Sequence, residues 1–184
     1  MVRIHVMGAS GSGATSLGRA LSAALAIRHI DSDDIYWMPT DPPYTTPRVM
    51  DERVAMLVDH APVDGAWVLS GSALKWGMAV EPFYDLIVFL LLDPQVRMER
   101  IRRREVERYG DRIAPGGDMA QASGEFIEWA ESYDTAGPER RSRASHEAWL
   151  LERNAPILRL DSIQSVEELV QEVLRHPVVA GRMA

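Results

Sequence analysis

The chain has 184 residues, 46% hydrophobic and 26% charged, with a net charge of −7 and no cysteine. That size and balance suit one globular domain with a sizeable core. The acidic charge argues against general adhesion to nucleic acid or anionic membrane, and the lack of cysteine excludes disulfides, thiolate metal sites and cysteine nucleophiles.

In chain order, the apolar run Val2–Met7 predicts a first strand, central and parallel, in which His5 reads as a hydrogen-bonded core histidine. It feeds Gly8-Ala9-Ser10-Gly11-Ser12-Gly13-Ala14-Thr15-Ser16 and then a helix to about Ala26, with Leu17, Ala20, Leu21, Ala24 and Leu25 at helical spacing. Strand, glycine-rich turn and helix is the setting of a phosphate-binding loop, where curled backbone amides and a helix N-terminus face an anion. Against G-x-x-x-x-G-K-[ST], Gly8, Gly13 and Thr15 match, but the lysine position is Ala14.

A short second strand around His29 and Ile30 ends in Asp31-Ser32-Asp33-Asp34. The following stretch, through Tyr36, Trp37, Tyr44 and Pro47, carries four prolines and reads as an ordered loop before a helix over Arg48–His60. Pro39 to Thr46 is a candidate acceptor pocket, with Tyr36, Trp37, Tyr44 and Arg48 placed to stack on or hydrogen-bond a small substrate. Trp67–Ser70 is a third strand, broken at Gly71-Ser72 and followed by Lys75, the only lysine beside nineteen arginines. Leu86–Leu92 is a fourth, too short to span a bilayer, and Asp93-Pro94 caps the next helix. That helix lines up Arg97, Arg100, Arg104 and Arg108, a face that reads by itself as solvated and ion-paired. Glycine-rich turns follow, then a helix with a stripe of Met119, Ala122, Phe126, Trp129 or Ala130, and Tyr133, and another beginning near Pro138. Phe126, Trp129 and Trp149 read as core. Ile157–Leu160 is the fifth strand, and Ser165-Val166-Glu167-Glu168 is a capping box opening a last helix. The expected domain is single over 1–184, with an acceptor-side segment at about 34–62, a helical lid at about 97–143 and a loose tail at 177–184. The elements predict an α/β three-layer sandwich around a five-stranded parallel sheet. The start lacks a signal-peptide pattern, so a cytoplasmic protein is expected, and no pattern specifies an oligomer.

This set resembles the P-loop NTPases of the adenylate, shikimate and gluconate kinase group over nearly the whole chain. The resemblance implies a nucleoside/shikimate kinase-like fold, with ATP and Mg²⁺ as cofactors and a small-molecule acceptor. Asp31-Ser32-Asp33 looks like the Asp-x-Asp of shikimate kinases, which puts Asp31 with Thr15 in the magnesium shell and Asp33 on the acceptor hydroxyl. Gly71, with Ser72, sits where that group has a glycine-rich acceptor-binding turn, although this chain has Ser70-Gly71-Ser72. Arg100 and Arg104 resemble the adenylate kinase pair that covers adenine and contacts phosphate. Arg140, Arg141 and Arg143 are similar to the arginines behind its lid. The outline is also similar to bacterial proteins labelled DNA topology modulation proteins, yet nothing in these residues supports acting on DNA. Losing the loop lysine costs binding and rate unless another cation, Lys75 or lid arginines such as Arg104 and Arg143, takes its place. Two readings stand: a kinase moving the ATP γ-phosphate to a small acceptor, and a nucleotide-binding module with little or no catalysis.

Overall fold

The computed structural model describes residues 1–183; Ala184 lies outside the described residues. Five strands, β1 (Arg3–Gly8), β2 (Arg28–Asp31), β3 (Trp67–Ser70), β4 (Leu86–Leu91) and β5 (Ile157–Asp161), form one parallel sheet in the order β2-β3-β1-β4-β5. The helices are α1 (Ala14–Leu25), α2 (Ser32–Tyr36), α3 (Met50–His60), α4 (Pro94–Tyr109), α5 (Ala120–Glu131), α6 (Arg143–Leu151), α7 (Val166–Arg175) and α8 (Pro177–Met183). The chain divides into two compact units. The first holds Met1–Gly8, Gly13–Leu90 and the segment from Arg153 onward; the second holds Ala9–Ser12 and Leu91–Glu152.

In the first unit the sheet is apolar on both faces, as expected of parallel strands. Ile4 and Val6 of β1 join Val68, Leu86 and Val88 in a cluster closed by Leu17 and Leu21 of α1 and Leu169, Val170 and Val173 of α7. On the alternate positions His5, Met7, Leu69, Ile87 and Phe89 are equally buried, because successive side chains of a strand point to opposite faces. His5 donates from Nδ1 to the Leu69 carbonyl at 3.2 Å and stacks on Tyr84 at 4.8 Å. Burial pushes its pKa down to about 4, against a smaller opposing effect of that bond. Arg3 and Arg182 both clamp Asp85, at 3.0 and 2.8 Å. Burial opposes charge on Asp85, but the hydrogen bonds from Arg3 and the two positive charges outweigh it and hold the carboxyl below its usual range.

The second unit is helical. Asp93 caps α4 by accepting from Gln95 N at 2.8 Å and Val96 N at 3.2 Å, and Met98, Ile101 and Ala130 form its apolar centre with Phe126, Ile127 and Trp129 against it. Arg97, 1% exposed, sits within this unit and donates at 2.9 Å to both the Ala130 carbonyl and Asp134.

Several expectations need correction. The region expected to be a loose tail is the helix α8, opened by Pro177 at its first turn. Val179 is fully buried in the main cluster, and Arg182 also donates to the Met1 carbonyl at 2.6 Å. The segment expected as a lid, 97–143, lies inside the second compact unit, within the span Leu91–Glu152. A short helix, α2, stands where a loop was expected, and α6 starts at Arg143 instead of Pro138. There Ser142 and Ser145 form a reciprocal capping box.

Candidate functional site

The phosphate-loop candidate begins at Gly8, the last residue of β1. Ser12 N donates to the Ala9 carbonyl at 3.1 Å, tightening the bend, and Gly11 and Gly13 have φ of +82° and +90°, conformations that tax any residue with a Cβ. Gly13 opens α1, and no side chain caps that helix, so its first amides are left for another acceptor. Ser10 and Gly11 are partly exposed, whereas Ser12 is 1% exposed and its Oγ has no hydrogen-bond partner. A buried unpartnered hydroxyl beside uncapped amides is a donor set suited to an oxyanion. Thr15 is half-buried and Ser16 exposed on the first turn of α1. Ala14 turns its methyl against the main apolar cluster.

Within the first unit, the carboxyl ends of β2 and β3 lie side by side, with Asp31 in register with Ser70. Asp31 is buried; one oxygen accepts from Asp33 N at 3.1 Å and caps α2, and the other has no bond among the described residues. Asp33 and Asp34 are exposed on the first turn of α2. Gly71, with φ +95°, packs directly on Ser32, whose buried Oγ also lacks a partner. Ser72 is half-buried in the turn beyond. His29 Nε2 lies 2.9 Å from Ser70 Oγ, in space left by Gly18 of α1. Burial lowers the His29 pKa; Asp31 raises it, Arg19 lowers it and Asp34 raises it, by smaller amounts. The residues missed by sequence reasoning, His29, Ser32 and Ser70, flank those expected, but their pairing spans 41 residues and leaves no local pattern. Lys75 is exposed in a left-handed turn with φ +69°.

The acceptor-side loop is closed by main-chain bonds, Met38 N to the Thr46 carbonyl at 2.8 Å and Arg48 N to the Tyr36 carbonyl at 2.7 Å. Trp37 packs edge-on against Tyr36 at 4.8 Å and Tyr44 at 6.3 Å. Arg48 donates to the Ile35 and Trp37 carbonyls at 3.1 and 3.4 Å, so its guanidinium holds the loop shut. Arg53 lies over the Tyr36 ring at 3.9 Å.

In the second unit, Ala9–Ser12 meet α4. A Cβ on Gly11 would stand 2.9 Å from both the Arg97 carbonyl and Ile101 Cγ1. Arg100 and Arg104 are half-buried on α4, and the Arg104 guanidinium lies over Phe126 at 5.6 Å. Arg141 lies over Trp129 at 5.5 Å; Arg143, at the start of α6, is exposed. Asp134, next to the arginine-rich turn in sequence, is spent on Arg97.

Among the described residues no group of three or more acidic or histidine side chains could hold a metal, and no helix is long and apolar enough to cross a membrane. A magnesium ion that arrives with phosphates needs only one or two protein ligands. The unbonded oxygen of buried Asp31 and the Thr15 hydroxyl fit that requirement.

Over 171 residues, 93% of this chain and 94% of the relative, the sequence is 41% identical to the uncharacterized protein YqaC of Bacillus subtilis strain 168. The chain belongs to the YqaC family. No protein-family model matches it. Among solved structures, this YqaC-family chain is similar to a shikimate kinase from Bacteroides thetaiotaomicron, with a TM-score of 0.56, 19% identity and 94% and 96% of the two chains covered. It is similar to a gluconokinase from Sinorhizobium meliloti 1021, at 0.53 and 23% over 100% and 93%. It is also similar to a shikimate kinase from Acinetobacter baumannii in complex with shikimate, at 0.54 and 14% over 99% and 94%. Likeness at these identities shows the fold alone: the YqaC-family chain shares with these structures a five-stranded parallel sheet flanked by helices.

Proposed function

We propose that the chain is a phosphotransferase that binds ATP at Gly8–Ser16 and moves the γ-phosphate to a small acceptor bearing a hydroxyl or phosphate. The observation that carries this reading is the loop itself: left-handed glycines, an uncapped α1 and a buried Ser12 hydroxyl lacking any partner. In this reading amides of Ser10–Ser16 hold the phosphates, and Arg100 and Arg104 serve the nucleotide. Thr15 and Asp31 would hold a magnesium ion, which would supply charge neutralisation on the phosphates. Asp33, exposed at the start of α2, accepts the hydrogen bond of the acceptor hydroxyl and orients it. The hydroxyl oxygen forms a bond to the γ-phosphorus, the bond from that phosphorus to the bridging oxygen breaks, and the hydroxyl proton passes to Asp33 and on to solvent. Gly71, Ser72, Trp37 and Tyr44 line the acceptor side, with Arg48 keeping their loop closed. Arg104, Arg143 and Lys75 are the cations offered for the charge that Ala14 lacks. The cytoplasm, where ATP is plentiful, is the proposed place of action.

The second reading, a nucleotide-binding module without transfer, is favoured by Ala14 alone, whose methyl is committed to the core. Asp33→Asn separates the two. A kinase loses at least 100-fold of its turnover against a panel of small hydroxyl and phosphate acceptors while its ATP affinity, measured by calorimetry, is retained. Wild-type protein that binds ATP but turns over none of the panel supports the module, and wild-type protein that binds neither ATP nor pyrophosphate overturns both.

A further inference from the structure

The acceptor-side loop of the first unit turns its polar side chains inward. Thr40 Oγ1 and Thr45 Oγ1 donate to the Pro42 carbonyl at 2.9 and 3.0 Å. The Arg48 guanidinium donates to the Ile35 and Trp37 carbonyls and, at 3.2 Å, to Met38 Sδ. What the loop has left to offer is ring surface. Four aromatic side chains run in a row: Trp76 to Tyr36 at 6.4 Å and 56°, Tyr36 to Trp37 at 4.8 Å and 68°, and Trp37 to Tyr44 at 6.3 Å and 86°. These contacts are tilted or edge-on, and none is a parallel stack. At one end Trp76 is 4% exposed, and the Arg53 guanidinium covers a face of Tyr36 at 3.9 Å. At the other end Trp37 and Tyr44 are half-buried, so the accessible ring surface lies there.

Tyr44 holds its place against the preference of its own backbone. Its φ is +62°, in the left-handed region where a bulky side chain is an outlier and where glycine or asparagine sits with little strain. The other end of the row has the same mark, since Lys75, the neighbour of Trp76, has φ +69°. Strain of this kind gathers at ligand clamps, because stability alone favours the unstrained residue. A flat ring meets an aromatic face in an offset stack. A polyol seated in the same place buries hydroxyls beside Thr40, Thr45 and Arg48, whose donors are already committed within the loop.

We propose that the acceptor is an aromatic alcohol, a flat ring stacked on Trp37 and Tyr44 with its hydroxyl on a side-chain carbon, and that Tyr44 is the residue that selects it. The proposal rests on the reading of the chain as a phosphotransferase with its acceptor side at 34–62. The hydroxyl oxygen bonds to the γ-phosphorus, the bond from that phosphorus to the ADP oxygen breaks, and the proton leaves through Asp33.

The test is a matched pair of probes, benzene-1,4-dimethanol and cyclohexane-1,4-dimethanol, which present the same two hydroxyls on a flat and on a puckered ring. Their affinities for the full chain, with magnesium ATP present, are read by ligand-observed NMR titration beside thermal melts. The wild-type chain binds the flat probe at least tenfold more tightly, and Tyr44→Phe keeps that ratio. Tyr44→Asn, which suits the left-handed backbone, lowers the ratio below threefold while melting no lower than wild type. A ring held only for packing would instead lower the melting temperature when removed. Equal affinity of the wild-type chain for the two probes overturns the proposal whatever the variants do, and so does failure to bind the flat one. Tyr44→Asn that keeps the ratio, or that melts below wild type, also overturns it. Titration with magnesium ATP alone separates the two levels. A chain that takes up no ATP strikes the phosphotransferase reading and the proposal with it, whereas one that takes up ATP but shows no ring preference strikes the proposal only.

Discussion

Gly71 presses on Ser32 so closely that a Cβ built on the glycine would lie 2.0 Å from Ser32 Oγ, at a backbone φ of +95°. This contact brings the ends of β2 and β3 together beside Asp31. Gly71→Ala therefore meets both left-handed strain, about 1–2 kcal/mol, and a collision with a buried hydroxyl. Urea unfolding is expected to show a loss of about 2 kcal/mol, and adding Ser32→Ala is expected to recover part of it by removing the struck oxygen but not the strain. A fully stable Gly71→Ala variant would mean that the turn relaxes freely.

Ala14 offers the reverse experiment. Ala14→Lys supplies the ammonium that the loop lacks, and a charged hydrogen bond to phosphate contributes about 1.5–3 kcal/mol. ATP affinity is expected to rise roughly tenfold or more by calorimetry, less whatever is lost when the methyl leaves the core. Unchanged affinity would mean that another cation already occupies the place.

Stability is expected to depend on pH through His5. Its folded pKa of about 4 is below the ordinary 6.5, so between these values the unfolded chain binds a proton that the folded chain refuses. Unfolding free energy then falls as pH drops through that window, by roughly 3 kcal/mol in total. Denaturant melts from pH 7 to pH 4 measure it. His5→Asn, which keeps a polar group for the Leu69 carbonyl, is expected to flatten the slope.

The parts of this molecule that were legible in the sequence are those with local causes. Gly8–Ser16 between an apolar run and a helical period announced the loop, and Asp93 and Ser165 marked helix starts that their caps bear out. Helix α2 was hidden because five residues hold barely more than one turn, too few for a period, and they run into a proline-rich loop. Helix α8 was hidden because its hold on the fold is tertiary, through Val179 and Arg182. Arg97 shows the same limit from the side of charge. Four arginines along a helix imply a wet face, yet one of them is buried because its acceptors, Ala130 and Asp134, arrive 33 and 37 residues later.

That burial has a measurable signature. Arg97→Met leaves Asp134, a quarter exposed, without its charged donor, while the Ala130 carbonyl keeps its bond from Ser132 N, and losing a donor to a half-buried charged group costs about 1–3 kcal/mol. The double variant Arg97→Met, Asp134→Leu is expected to be far closer to wild type in denaturant melts, because no lone charge remains. Equal losses in the single and double variants would show that packing of the arginine stem, not its charge pairing, is what matters.

The link from Arg182 to the Met1 carbonyl and Asp85 places the first and last described segments of the first unit within one side chain's reach of each other. Arg182 therefore ties α8 to the approach to β1, and Arg182→Ala is expected to raise amide hydrogen exchange in both segments together.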